Sequence, residues 1–224
     1  MTCDVIVLAA GLGTRFGDKK QFYLVGGVPI FVKTLARIYE SACFRNCIVV
    51  VPPDDVLPTT VLLAEMFPRV EVIAGGASRF LSSRAAVRWV YAQPVPPEAV
   101  IIHDGVRPFI MASALDDLYA TLQAGPWAGA VFYLPIYDSI IHFETNKEIA
   151  HTYLERSNVV RVQTPHIYRV PALAMALEAE ADDSIRENAE IFFSAGNSLA
   201  FLEGDSGNIK VTTQADLRYF HEHS

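Results

Sequence analysis

Three cysteines in 224 residues are too few, and odd in number, to build a disulfide framework. Cys3, Cys43 and Cys47 also lack the spacing of a zinc or redox motif, so they read as buried or idle thiols in a reducing compartment. Charge is scarce as well, at 19% of residues, and the formal net charge is −7. That balance excludes nucleic acid and anionic membrane surfaces as main partners, so any phosphate-binding charge must be local. No apolar run approaches the ~20 residues needed to span a bilayer. The first apolar run has no basic flank and breaks at Gly11, which predicts a strand, not a signal peptide, and a cytoplasmic protein. No low-complexity tract or internal repeat interrupts the chain. Hydrophobic residues make up 51%, enough for a large core, and the length predicts one α/β domain over residues 1–224.

What is present begins at the N-terminus. Asp4-Val5-Ile6-Val7-Leu8-Ala9-Ala10 reads as a buried strand, followed at once by Gly11-Leu12-Gly13-Thr14-Arg15-Phe16-Gly17 and then Lys19-Lys20-Gln21. A small-residue turn leaving a strand lets a ligand approach the backbone, whose N–H groups can cradle anionic oxygens. Arg15 and Lys20 add fixed positive charge where phosphates would lie. The outline is that of a nucleoside triphosphate site. A Walker-type loop is excluded because no G-K-[ST] follows the glycines. A dinucleotide turn fits poorly: Gly17 falls one position late, and Pro52-Pro53-Asp54 comes roughly 40 residues after the turn instead of about 20. A merely structural turn with solvated bases is the bland alternative.

Val/Ile-rich runs at 4–9, 47–52, 70–74, 99–102 and 129–134 predict strands covered on both faces. A helix is predicted to begin at Pro29, a favoured first helical position, with Phe31, Leu35 and Ile38 at helical spacing; others are predicted over 79–92 and at Leu115, Leu118 and Leu122. Strands alternating with helices predict a doubly wound, mainly parallel α/β sheet, with ligands at the carboxyl ends of its strands. Pro94-Val95-Pro96-Pro97 is a rigid connection within the domain. Ser139–Phe143 and Ile149–Tyr153 flank the polar turn Glu144–Glu148 and predict a projecting hairpin arm over about 139–156. A lone hairpin is marginal in water, so a homodimer through this arm is expected, with a hairpin folded onto its own domain as the bland alternative.

Two further stretches carry chemistry. His103-Asp104-Gly105-Val106-Arg107-Pro108 follows a strand on the ligand edge. An aspartate there can hold Mg²⁺ beside substrate phosphates, Arg107 can pair a second phosphate, and Gly105 leaves room for a sugar. The bland alternative is an Asp104–Arg107 pair that only fixes a loop, with His103 a packed strand-end residue. Gly204-Asp205-Ser206-Gly207-Asn208-Ile209-Lys210-Val211-Thr212-Thr213 predicts a turn, a short strand bearing Lys210, and Thr213 as a helix cap.

In order along residues 4–220, A-A-G-x-G-x-R with K-Q, H-D-x-x-R-P, D-[ST], Q-T-P and N-I-K-[IV]-T resemble the 2-C-methyl-D-erythritol 4-phosphate cytidylyltransferase family. The resemblance implies a Rossmann-like nucleotidyltransferase fold with CTP and a polyol phosphate as substrates and Mg²⁺, or another divalent cation, as cofactor. It implies that Ala9, Ala10, Gly11, Gly75, Gly76 and Ser82 receive the cytidine. It assigns the triphosphate to Gly13, Thr14, Arg15, Lys20 and Lys210, of which Arg15, Lys20 and Lys210 are the catalytic cations. Asp104, Gly105 and Arg107 match the metal and sugar-phosphate region; Ser139, Arg156 and Thr164 match polyol-phosphate contacts, the first two reaching a neighbouring subunit. The chain departs from the pattern at Lys19, where the family has proline, at Ile141, at His166 where it has glutamine, and over Arg186–Phe193. Ribitol-5-phosphate cytidylyltransferases share nearly every motif and are the nearest rival; a catalytically idle nucleotide-binding regulator is the rival of another class.

Overall fold

The computed structural model describes residues 2–11, 13, 16–17, 19–143, 150–181 and 187–218. Thr14, Arg15 and the tip of the expected hairpin lie outside the described residues. In chain order the elements are β1 (Cys3–Leu8), β2 (Leu24–Val25), β3 (Val28–Pro29), α1 (Ile30–Ile38), β4 (Cys47–Val51), α2 (Val56–Leu63), β5 (Val70–Ala74), α3 (Arg79–Tyr91), β6 (Ala99–Asp104), α4 (Ala112–Ala124), β7 (Gly129–Pro135), β8 (Ile140–Phe143), β9 (Ala150–Leu154), β10 (Val160–Arg169), α5 (Val170–Ala179), α6 (Asn188–Ser194) and β11 (Leu199–Glu203).

Seven strands form the central sheet in the order β11-β7-β10-β6-β1-β4-β5. β1 pairs in parallel with both β4 and β6, β4 with β5, and β7 with β11. The expected mainly parallel α/β sheet is therefore present, with one strand reversed: β10 runs antiparallel to β6 and β7. Its register shifts between Gln163 and His166, so the Gln163-Thr164-Pro165 motif marks an irregularity beside the end of β6.

Continuous apolar strands make sense because both faces are covered. Val5 and Val7 pack into one buried cluster with Phe31, Leu35, Val49 and Ile101, beneath α1 and α4. Ile6 packs into the other with Phe80, Val87, Ile102, Tyr168 and Leu173, beneath α3 and α5. Fully burying such side chains contributes about 1.5–3 kcal/mol each before entropy is counted. The sandwiched sheet is thus a rigid base, and the segments leaving its carboxyl edge inherit fixed positions.

Two local expectations are corrected. The first helix starts at Ile30, with Pro29 preceding it in β3, because the short β2–β3 hairpin takes up the proline's extended backbone. Lys210 lies in no strand; its segment docks irregularly, with Val211 N–H donating to the Val106 carbonyl at 2.9 Å. β8 and β9 pair with each other as a separate two-stranded sheet and project the exposed Tyr153. Among the described residues, no helix is long and apolar enough to cross a membrane.

Candidate active site

The cleft is assembled by three strand ends. Leu8, Ala9, Ala10 and Gly11 leave β1, Gly76 to Ser78 follow β5, and Asp104 ends β6. Lys20, Gln21, Arg79, Ser82, Val106 and Lys210 complete a hollow of about 190 Å³. The first turn is held open by Gln21, whose Nε2 donates to the Gly11 carbonyl at 3.0 Å from a buried position. Gly13 takes a φ of 66°, in the left-handed region that favours glycine.

The second wall depends on close packing. A Cβ on Gly75 would sit 2.5 Å from the Ala10 Cβ, and one on Gly76 would sit 2.4 Å from the Leu81 Cβ. Both positions bring backbone against neighbouring side chains where a methyl group does not fit. Ser82 fastens this wall: its hydroxyl accepts from Gly76 N–H at 3.1 Å and lies 2.9 Å from the Ser78 carbonyl, which accepts from it. α3 begins with a capping bond, Leu81 N–H to Ser78 Oγ at 3.1 Å, which aims the helix start at the cleft.

The electrostatic centre is Asp104. Its side chain is almost fully buried at the end of β6, and three cations converge on it. Arg79 reaches Oδ1 at 3.2 Å; Lys210 reaches Oδ2 at 2.8 Å and Arg107 Nε the same oxygen at 3.4 Å. Burial by itself would raise the carboxyl pKa; Arg79, Lys210 and Arg107 outweigh it and hold the group well below the usual carboxylate range. Asp104 is therefore ionised at neutral pH. Arg79 in turn pairs with Glu187 at 3.6 Å, which ties the start of α6 to the cleft. Burial pushes Glu187 upward against the pull of Arg79.

The surroundings make this centre stiff. Arg107 Nη1 donates to the Asn208 carbonyl at 2.8 Å, tying it to the loop that carries Lys210. Gly105 N–H donates to the Leu8 carbonyl at 2.9 Å, and its own carbonyl accepts from Thr34 Oγ1 at 2.9 Å. Thr164 is buried behind Asp104, and its hydroxyl accepts the Asp104 N–H at 3.3 Å. His103 is buried and donates to the Arg107 carbonyl at 3.3 Å; burial lowers its pKa to about 4, so it is neutral and structural. Beyond Lys210 a second hollow of about 290 Å³ is lined by Arg107, Arg161, Ser206 and Lys210 among others.

Thus Ala9, Ala10, Gly11, Lys20, Gly76, Ser82, Asp104 and Lys210 are brought to one cleft, with Gly75, Gly105 and Arg107 directly supporting it. Ser139 and Arg156 do not line it. Arg156 sits at the base of the arm, donating to the Tyr137 carbonyl at 2.6 Å. No sequence motif points to Arg79, although its position carries a signal. It is the first residue of α3, where the helix dipole disfavours a cation. A cation placed against that dipole on the ligand edge points to a negative partner.

The profile of the 2-C-methyl-D-erythritol 4-phosphate cytidylyltransferase (IspD) family matches residues 3–221. The chain belongs to this family. A 2-C-methyl-D-erythritol 4-phosphate cytidylyltransferase from Cereibacter sphaeroides is 32% identical over 97% of this chain and 94% of its own length. One from Bacillus licheniformis is 33% identical over 97% and 93%. Among solved structures, the 4-diphosphocytidyl-2C-methyl-D-erythritol synthase from Anaerococcus prevotii superposes with a TM-score of 0.83 at 22% identity, over 99% of this chain and 95% of that one. At that identity the likeness speaks for the cytidylyltransferase fold; family membership rests on the sequence match.

Proposed function

We infer that this protein transfers the cytidylyl group of CTP to 2-C-methyl-D-erythritol 4-phosphate, giving 4-diphosphocytidyl-2-C-methyl-D-erythritol and pyrophosphate, in isoprenoid precursor synthesis. The observation that carries this reading is the family match along nearly the whole chain, joined to a cation-lined cleft in an acidic protein.

A phosphate oxygen of the second substrate attacks the α-phosphorus of CTP. The bond from that phosphorus to the bridging oxygen breaks, and pyrophosphate leaves with the electron pair. A phosphomonoester is already largely dianionic near neutral pH, its second pKa being about 6, so no general base is required. Buried, neutral His103 is suited to none of the proton transfers. Catalysis is then positioning and charge stabilisation. Lys20 and Lys210, with Arg15, neutralise charge growing on the phosphate chain. Arg79 joins them from the α3 start. Ala9 to Gly11 and the Gly75–Gly76 wall, held by Ser82, receive the cytidine.

The donor set suits a divalent cation such as Mg²⁺. Such ions are bound through one or two carboxylates plus substrate phosphates, and Asp104 is a single ionised carboxylate facing the cleft. Asp104 would hold the ion, which supplies charge neutralisation to the phosphates. The polyol phosphate is assigned to the Arg107 side, with Ser139 and Arg156 contributed by a second copy in a homodimer. Exposed Tyr137, Ile141 and Tyr153 on and beside the arm support that pairing. The compartment we assign is the cytoplasm.

The test is pyrophosphate release from CTP with either 2-C-methyl-D-erythritol 4-phosphate or ribitol 5-phosphate, with and without Mg²⁺. Turnover with the first and not the second is expected. Preference for ribitol 5-phosphate, or CTP binding without any turnover, overturns the reading.

A further inference from the structure

We propose that Asp104 is the stored counter-ion of the phosphate site: in the free protein it competes with the phosphate chain for Arg79 and Lys210, and it surrenders them when that chain binds. The inference rests on the reading of the cleft as a phosphate-chain site.

A carboxylate offers about four acceptor positions on its two oxygens. Three are engaged here, by Arg79, Arg107 and Lys210 at 3.2, 3.4 and 2.8 Å. The three cations are not equivalent. Arg107 is anchored by its second contact to the Asn208 carbonyl at 2.8 Å, and its side chain is 13% exposed. Lys210 is 32% exposed, and its flexible stem can turn its ammonium away from Asp104 without moving the backbone. Arg79 has a second carboxylate, Glu187, within 3.6 Å and can shift between anions. Arg79 and Lys210 both line the cleft, so an arriving phosphate chain meets them while they are neutralised.

Without Asp104, Arg79 and Lys210 would share the cleft with no carboxylate between them. With that carboxylate gone, both would be drawn more strongly to an arriving phosphate chain. With Asp104 they are held in place before substrate arrives. The same contact lowers affinity for a bare phosphate chain, because each cation must first leave a carboxylate. A divalent cation arriving with the phosphates removes that penalty, since Asp104 exchanges its organic cations for the metal and stays paired. By reciprocity, the phosphate chain raises metal affinity as much as metal raises phosphate affinity.

The experiment uses inorganic pyrophosphate and the whole protein, in chelator, followed by calorimetry. Asp104→Asn is expected to bind metal-free pyrophosphate at least about tenfold tighter than wild type, since a unit negative charge near the cations is gone. With Mg²⁺ present that advantage is expected to vanish. Equal or weaker metal-free binding by D104N overturns the proposal. Should D104N not fold, Lys210→Met is titrated with Mn²⁺ by electron paramagnetic resonance without phosphate. An affinity for Mn²⁺ at least about tenfold above wild type is expected, because one competitor for the carboxylate is removed. An unchanged affinity overturns the proposal. Neither readout involves cytidine or turnover, so failure here is distinct from failure of the assigned reaction, which would show as wild-type protein unable to bind or use CTP.

Discussion

The cleft and the arm are built on opposite terms. Around Asp104, Arg79, Arg107 and Lys210 are each paired with one buried carboxylate, and Arg107 is also tied to the Asn208 carbonyl. Among the described residues, the arm strands pair with each other, expose Tyr153 at 74%, and carry Ser139 and Arg156 outside the cleft. One region is tied together by ion pairs and buried strand ends; the other is a two-stranded ribbon with exposed apolar side chains. Preorganised charge can be made by a rigid sheet edge, whereas a two-stranded ribbon has no core to hold its side chains in place.

The sharpest way to break this contrast is to remove a cleft cation. Lys20→Ala and Lys210→Ala are each expected to lower kcat about 10²–10³-fold while the fold is kept, as loss of a preorganised charge typically does. Activity within threefold of wild type, with circular dichroism unchanged, would refute their roles. A second probe is acid. His166 is buried beneath the cleft, and burial above all, aided by Arg79, Arg107 and His103 and opposed by Asp104, lowers its pKa to about 3. The unfolded residue titrates near 6.5, so below that pH the unfolded chain binds the extra proton and the native state does not. The stability this gives is fully present at neutral pH and is expected to fall by about 1.4 kcal/mol per pH unit as pH drops below 6.5, and His103, lowered to about 4 by burial, adds a like loss over the same range. Denaturant unfolding between about pH 7 and 4.5 measures it; a flat profile would mean that the buried polar layer takes up protons without cost.

The arm side of the contrast is sharpened by Arg156→Ala. Loss of a charged contact to the polyol phosphate is expected to raise its KM about tenfold or more and leave the KM for CTP unchanged. If the arm serves a neighbour, mixing this variant with Lys210→Ala restores part of the activity, because some sites then combine an intact cleft with an intact arm. No recovery on mixing, with both variants dimeric by sedimentation, would place Arg156 in its own subunit's site. The smallest effect belongs to Ser82→Ala. Its hydroxyl fastens Gly76, and its loss is expected to cost about 1 kcal/mol, seen as roughly fivefold weaker CTP binding with little change in kcat.

Much of the architecture was legible because it is written in local patterns. Parallel strands covered on both faces leave unbroken Val/Ile runs, and β1, β4, β5, β6 and β7 all announced themselves so. The reversed strand β10 did not: polar Arg161, Gln163 and Thr164 break its apolar pattern, Gln163 donating to the Asp205 and Asn208 carbonyls and Thr164 accepting from Asp104 N–H. α2 and α6 are short and lack a distinctive apolar periodicity. In the site, the glycine turn, Lys20 and the Asp104–Arg107 pair were readable from motif and position. Arg79 and Glu187 were not, because neither belongs to a motif that sequence proximity displays, and their meaning depends on a strand end that is 25 residues from Arg79 in the chain.

By sequence alone, then, the alternation of strands and helices, the acidic balance and the family of the chain were determined. These are properties of neighbours along the chain and of residues in order. That one carboxylate gathers Arg79, Arg107 and Lys210 was decided only by tertiary structure. Charges separated by many residues meet because the sheet brings the ends of β1, β5 and β6 to one edge, and their separation in space, not in sequence, sets their energy.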